Sequence, residues 1–184
     1  VLETDEGASP LFLRSLPLLR EAARRGPVAD LACGRGRHAL AAARQGLATL
    51  GLDRDAEALR ALSAAARRDA LPLRGVRCDL ETGRGIPVRT GSCGAILVFR
   101  FLFRPLAPAI EAALAPGGLL LYETFTELQR ELGGHPRNPA FLLREGELPT
   151  LFPRLVPLES GEELRDGPDG RRDALAFLAA RRPA

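Results

Sequence analysis

The chain contains no lysine, no methionine and no tryptophan, and only one tyrosine. All 26 of its basic side chains are therefore arginine. Asparagine and glutamine are scarce too. This bias fits a GC-rich genome, and the shortage of thermolabile residues also fits heat adaptation. Aromatic residues make up 5% of the chain. They form no basic patch interleaved with rings, the pattern that single-stranded nucleic acid calls for. The net charge of +3 and the pI near 9.2 still permit an anionic or nucleic-acid partner. Cysteine is limited to Cys33, Cys78 and Cys93. An odd number without close pairs argues against a disulfide framework and against a metal site of the zinc type. Each reads as a small buried side chain, although Cys33 stands out because it lies in a glycine turn. No apolar run approaches the roughly 18 residues of a membrane span. The start, "VLETDEGASP", is acidic where a signal peptide is basic. The expected setting is cytoplasmic, with no membrane partner.

What is present is an ordinary globular composition, 46% hydrophobic and 27% charged over 184 residues. That length suits one domain, 1–184, since domains run to roughly 100–200 residues. Residues 1–26 form an N-terminal helical segment, with an amphipathic helix over 10–25 broken near Pro17. Apolar strands are expected at 27–32, 47–53, 71–79, 94–101 and 117–125. Helices at 36–45, 55–68 and 105–115 alternate with them, and Asp55 is a good N-cap. Residues 81–92 are a Gly-rich loop. Continuous apolar strands separated by helices predict an α/β fold with a doubly wound, mostly parallel sheet covered on both faces. The C-terminal third differs. Residues 126–150 are loop and short helix, and "GGHPRNP" within them has the glycines and prolines of a lid, with an ordinary surface loop as the alternative. Segments 154–164 and 171–182 flank "RDGPDG", which predicts an antiparallel hairpin at one edge. The second segment is rich in alanine, so a helix is the alternative.

The sharpest feature is "VADLACGRGRHAL", residues 28–40. In an open parallel sheet, ligands bind beyond the carboxyl ends of the strands. Gly34 and Gly36 let the first strand-to-helix turn bend sharply and approach a ligand. Two cofactor classes compete for such a turn. Gly34, Gly36, Ala39 and Asp53 fit the dinucleotide fingerprint of an oxidoreductase. The rival is S-adenosylmethionine, whose sulfonium and ammonium favour an acid before the turn, and Asp30 is such an acid. Asp53 closes the second strand, where a carboxylate can accept from both ribose hydroxyls. Asp79 closes the third, where it can accept from an adenine amino group while Leu80 packs on the ring. Three carboxylates at neighbouring strand ends favour a cationic nucleoside.

These residues resemble the class I S-adenosylmethionine-dependent methyltransferases. "VADLACGRGRHAL" is similar to their first motif, "GLDRD" to the second acidic motif and "RCDLE" to the adenine motif. "APGGLLLYE" resembles the glycine turn before their fifth strand. The family's first motif usually carries more glycine than this one, which has Ala32 and Cys33. The resemblance implies a Rossmann-like seven-stranded sheet with a reversed last strand. It further implies a cofactor site made of Asp30, Ala32, Cys33, Gly34, Gly36, His38, Asp53, Arg54, Cys78, Asp79, Leu80 and Phe99. "VFRFLFRPLAPAI" and "YETFTELQRELGGHPRNPAFLLREGEL" resemble a bacterial group close to the tellurite-resistance methyltransferases.

The acceptor is expected over strands four and five and under 126–150. Substrate candidates are Arg100, Arg104, Tyr122, His135, Arg137 and Asn138. Arg100, Tyr122 and Glu123 are the candidates for catalysis. Arg100 interrupts an apolar stretch. It is either paired with Glu123 or orients an anionic acceptor. Tyr122 is either a core residue or an acceptor contact, and His135 is either a plain loop residue or part of the site. A small molecule or an oxyanion is the expected acceptor. A tRNA or protein acceptor, a nicotinamide-dependent oxidoreductase and a cofactor-binding module without chemistry are the alternatives.

Overall fold

Apolar runs bounded by glycine, proline and aspartate set the strands, and alanine- and leucine-rich stretches between them wind into helices. The structure is a computed structural model and describes residues 7–166, 170 and 172–184. In chain order the elements are α1 (Pro10–Arg14), α2 (Leu16–Ala22), β1 (Val28–Leu31), α3 (Arg37–Arg44), β2 (Thr49–Asp53) and α4 (Ala56–Arg68). There follow β3 (Leu73–Arg77), β4 (Cys93–Phe99), α5 (Ala107–Ala113), β5 (Leu114–Phe125), α6 (Leu128–Glu131), α7 (Glu147–Thr150), β6 (Val156–Asp166) and β7 (Arg172–Arg181). They build one seven-stranded sheet in the order β3-β2-β1-β4-β5-β7-β6. The first five strands are parallel, and β7 runs antiparallel to both β5 and β6. This is the expected Rossmann-like sheet with its reversed last strand.

Strand alternation sends the core to two faces. Val28, Leu97, Phe99, Leu119 and Leu121 meet Leu11, Phe12 and Leu19 of α1 and α2 on one face. Ala29, Leu31, Ile96, Val98 and Leu120 meet Leu106, Ile110 and Leu148 on the other. Burial of each such leucine contributes about 1.5–3 kcal/mol. A third cluster, Ala39, Leu59 and Leu62, locks α3 to α4.

Several boundaries differ from expectation for local reasons. The N-terminal helix breaks at Ser15, not at Pro17, because Pro17 sits in the first turn of α2, where a missing N–H costs nothing. The third strand is shorter than 71–79, so Asp79 lies two residues beyond β3. β5 begins at Leu114, with a register shift where Cys93 pairs Leu114 before Ala95 pairs Leu119. The alanine-rich segment is a strand, pinned between β5 and β6 and buried over most of its length. Of the hairpin turn, residues 167–169 lie outside the described residues. Among the described residues no helix is long and apolar enough to cross a membrane.

The 126–150 stretch is anchored rather than loose over much of its length. Leu142, Leu143 and Leu148 are fully or almost fully buried. Arg104 donates to both carboxylate oxygens of Glu147 at 2.6 and 2.9 Å, and to the carbonyls of Ala140 and Leu142 at 3.0 and 2.8 Å.

Candidate active site

Three residues of the turn between β1 and α3 have positive φ: Ala32 at 52°, Gly34 at 55° and Gly36 at 83°. The two glycines serve different ends. A Cβ on Gly36 would stand 2.1 Å from Cδ1 of Leu62, so glycine there lets α4 pack against the turn. The expectation that Gly36 clears space for a ligand is corrected. A Cβ on Gly34 would meet nothing within 4 Å. Its N–H donates to Asp53 Oδ2 at 2.6 Å. Open space above a left-handed glycine is where a ligand can come close. Ala32 holds the same backbone region at a cost of roughly 1–2 kcal/mol.

Asp30 does not join the other two acids. Val28 and Asp30 share the helix-covered face of β1, and Asp30 is 2% exposed. Its Oδ2 accepts the N–H of Ala39 at 2.9 Å, so it braces the start of α3 from beneath. Burial pushes its pKa up to about 7, against the Ala39 hydrogen bond and Arg37, which pull it down. Cys33 also turns inward, onto Ala39, Leu59 and Leu62. Burial and then the charges of Asp30 and Asp53 push its thiol up, so it is a packed thiol and not a nucleophile. His38 stacks on Phe99 with ring centroids 3.6 Å apart, and its Nε2 accepts the N–H of Ser9 at 3.1 Å. Burial, with Arg37 and Arg100 adding to it, lowers the His38 pKa to about 3, which keeps the imidazole neutral. His38 and Phe99 are thus core residues beneath the N-terminal segment.

A cavity of about 370 Å³ opens beyond the carboxyl ends of the strands. That is within the range of small-molecule sites, about 300–1,000 Å³. Ala32 lies at its middle. One side is lined by Asp53, Arg54, Cys78, Asp79, Leu80 and Glu81. The other is lined by Arg100, Phe101, Leu102, Thr124 and Phe125, with Pro136 and Phe141 reaching in from the 126–150 stretch. Sheet order separates the two ends. From β3 to β5 is four strand spacings, about 19 Å at roughly 4.8 Å each.

The β2–β3 end offers acceptors and an apolar surface. Asp53 accepts from Gly34 N through Oδ2 and from Asp55 N through Oδ1 at 2.8 Å. A carboxylate offers about four acceptor sites, so about two stay available for ribose hydroxyls. Asp79 Oδ1 accepts Glu81 N at 2.9 Å, while Oδ2 has no donor among the described residues. It can take an adenine amino group. Leu80, 5% exposed, supplies an apolar surface beside it. Arg54 pairs with Glu81 at 2.7 Å at the rim. Cys78 lines the same end, and burial raises its pKa, so it too stays protonated. Donor, acceptor and apolar surfaces fit S-adenosylmethionine at this end.

Of the acceptor-side candidates, Arg100 alone lines the cavity. Its φ is 59°, and its N–H donates to the Glu123 carbonyl at 2.8 Å. The guanidinium lies over the Phe125 ring at 5.3 Å and pairs with Asp173 at 2.8 Å. It does not pair with the Glu123 carboxylate. Glu123 is 1% exposed and accepts from Ser9 Oγ at 2.6 Å and from Arg165 at 2.8 and 3.0 Å. It ties the N-terminal segment to β5 and β6, which removes it as a base. Tyr122 is 3% exposed, donates to the Phe101 carbonyl at 2.9 Å and tilts against Phe152. Burial pushes its phenol pKa up, so it is a core residue. Arg104 is engaged by Glu147, whose pKa it pulls down to about 2. Asn138 caps a short turn by accepting Ala140 N at 3.0 Å, and Arg137 donates to the Gly133 carbonyl at 3.4 Å. His135 is exposed, and its carbonyl accepts from Gln129 at 3.3 Å.

Sequence reasoning missed Glu81, Phe101, Leu102, Thr124, Phe125, Pro136 and Phe141. Thr124 was within reach, because it lies two positions after Tyr122 at the end of a strand and is polar there. Pro136 and Phe141 were not, because their place depends on how 126–150 docks.

A family model described as a methyltransferase domain matches residues 28–118. It spans the glycine turn, Asp53, Asp79 and Arg100. No curated protein matches the chain. Among solved structures, TehB from Haemophilus influenzae is similar with a TM-score of 0.71 at 20% identity. The match covers 90% of this chain and only 61% of TehB, so the chain spans less than two thirds of that relative. A SAM-dependent methyltransferase from Methanosarcina mazei gives 0.73 at 18% identity, over 91% of this chain and 98% of the other. Geranyl diphosphate C-methyltransferase from Streptomyces coelicolor A3(2) gives 0.65 at 18% identity, over 92% and 77%. At such identities the likeness is one of fold. Residues 28–118 thus match a methyltransferase domain, and the chain has the fold of S-adenosylmethionine-dependent methyltransferases.

Proposed function

We propose that the protein moves a methyl group from S-adenosylmethionine to a small-molecule or oxyanion acceptor that enters over β4 and β5. The observation that carries this reading is the two-ended cavity, with Asp53 and Asp79 at one end and Arg100 at the other. When bound, S-adenosylmethionine supplies an electrophilic methyl on its sulfonium. The chain's own residues supply the rest. Asp53 holds the ribose, Asp79 the adenine amino group, and Leu80 the face of the ring. The turn at Gly34 lets the backbone come close to the donor. Holding two reactants in line contributes on the order of 7–11 kcal/mol, and the apolar walls Phe101, Leu102 and Phe125 exclude water.

Arg100 is the only titratable side chain among the lining residues at the acceptor end. An arginine does not take a proton. The site therefore favours an acceptor that already carries a basic lone pair, since a base is needed only where the acceptor must lose a proton. Streptomyces geranyl diphosphate C-methyltransferase, one of the structural neighbours, was solved in complex with geranyl diphosphate, a small organic anion. The test is incubation with methyl-labelled S-adenosylmethionine and separated small-molecule, RNA and protein fractions. Label is expected in the small molecules. Label confined to RNA or protein overturns the acceptor class.

A further inference from the structure

We infer that the acceptor is a small organic anion with an apolar body, its charged group set on Arg100 and its body against Phe101, Phe125 and Phe141. This rests on the methyltransferase reading and goes further, to the chemistry that the acceptor end can recognise.

The charged half of the inference comes from how Arg100 is held. Its backbone has φ 59°, a conformation unusual for a side-chain-bearing residue. The guanidinium meets Asp173 through Nη2 alone. Asp173 is fixed from behind by Gln129 Nε2 at 3.1 Å, and Gln129 is 2% exposed. A guanidinium has five N–H donors in a rigid fork, so several stay uncommitted among the described residues. The side chain is 41% exposed and lines the cavity. Asp173 is the one carboxylate on this guanidinium among the described residues, and no carboxylate lines this end of the cavity among them.

The apolar half comes from the rest of the wall. Phe101, Leu102, Phe125, Pro136 and Phe141 offer carbon to the cavity. Phe141 is 41% exposed, an unusual state for a phenylalanine that has no ligand to cover it. A bare inorganic oxyanion would engage Arg100 and leave these rings facing water. A neutral apolar molecule would cover the rings and leave the guanidinium without an anion. Only a molecule with both parts uses both surfaces. Volume limits it as well, since the cavity of about 370 Å³ is shared with the donor.

The test is calorimetric titration of the full chain, saturated with S-adenosylhomocysteine, with four probes. Phenylacetate has both parts, phenylacetamide lacks the charge, and acetate and selenite lack the body. Phenylacetate is expected to bind about tenfold or more tighter than each of the others, the scale of a charge-assisted contact. Arg100→Gln is expected to remove that advantage over phenylacetamide. Phe141→Ala, at an exposed position, is expected to weaken phenylacetate and leave acetate unchanged. Both variants should bind S-adenosylhomocysteine within about twofold of the parent, which reports an intact fold. Phenylacetamide or selenite binding as well as phenylacetate overturns the inference. So does phenylacetate binding that is indifferent to Arg100→Gln, or no probe binding while S-adenosylhomocysteine binds. Failure of S-adenosylhomocysteine itself to bind is a different result and overturns the methyltransferase reading beneath it.

Discussion

Two glycines one residue apart carry different loads, and substitution separates them. Gly36→Ala forces a left-handed alanine and drives a methyl into Leu62. It should cost about 2–4 kcal/mol of stability, seen as a lower midpoint in thermal or denaturant unfolding. Gly34→Ala has open space for its methyl. It should cost only about 1 kcal/mol of stability, yet weaken cofactor affinity by roughly tenfold, because the methyl occupies the ligand's approach. Asp30 gives a pH signature. Its pKa is raised from 3.8 to about 7 by burial. Between those values the folded chain holds a proton that the unfolded chain has released. Stability attributable to this group therefore falls as pH rises from about 4 to 7. Asp30→Asn should gain on the parent across that window by on the order of a few kcal/mol, measured as the difference between two stability–pH curves. The place of Asp53, Asp79 and Leu80 beside the cavity was legible because each stands at or just past the end of a strand, the edge where a parallel sheet meets its ligands. Asp30 shares with Val28 the face of β1 that α3 covers, so its carboxylate braces Ala39 N–H inside the fold. The partner of His38 was not legible for a physical reason of another kind. That partner, Ser9, lies 29 residues away and no local pattern pairs them.

At the scale of elements, the inner parallel strands β1, β4 and β5 were visible because both of their faces are covered, which makes them continuous apolar runs. The alanine-rich strand β7 was ambiguous because alanine is the strongest helix former. Tertiary pairing decides it: β7 is held on both sides, by β5 and β6. One edge of the sheet is β6, where Glu159, Glu162 and Glu163 place acidic side chains along a strand that could otherwise pair with another chain. The 126–150 stretch was expected as a lid, and its docking through Arg104 and Glu147 could not be read from composition. That ion pair is testable. Glu147 is nearly buried, and Arg104, with the Arg144 N–H, holds its pKa near 2 against an ordinary 4.5. Its contribution is complete above about pH 4.5 and is lost as pH falls toward 2. Glu147→Gln should lower stability at neutral pH by about 1.5–3 kcal/mol, with the deficit shrinking in acid. An unfolding series in urea at pH 7 and pH 3 checks both parts.

For the molecule as a whole, one sheet sets the two ends of the cavity, at β3 and at β5, about 19 Å apart along its carboxyl edge, at four strand spacings. Saturating donor should stabilise the fold by mass action, by about 2.7 kcal/mol at a hundredfold excess over Kd. The most direct measurement is titration of S-adenosylhomocysteine into the parent and into Asp79→Ala. Asp79 is exposed, and its only side-chain hydrogen bond among the described residues is to Glu81 N, so folding should be little changed. The parent should bind, and the variant should bind roughly tenfold more weakly at an unchanged melting temperature. No binding to the parent, alongside tight binding of a nicotinamide dinucleotide, would contradict the account.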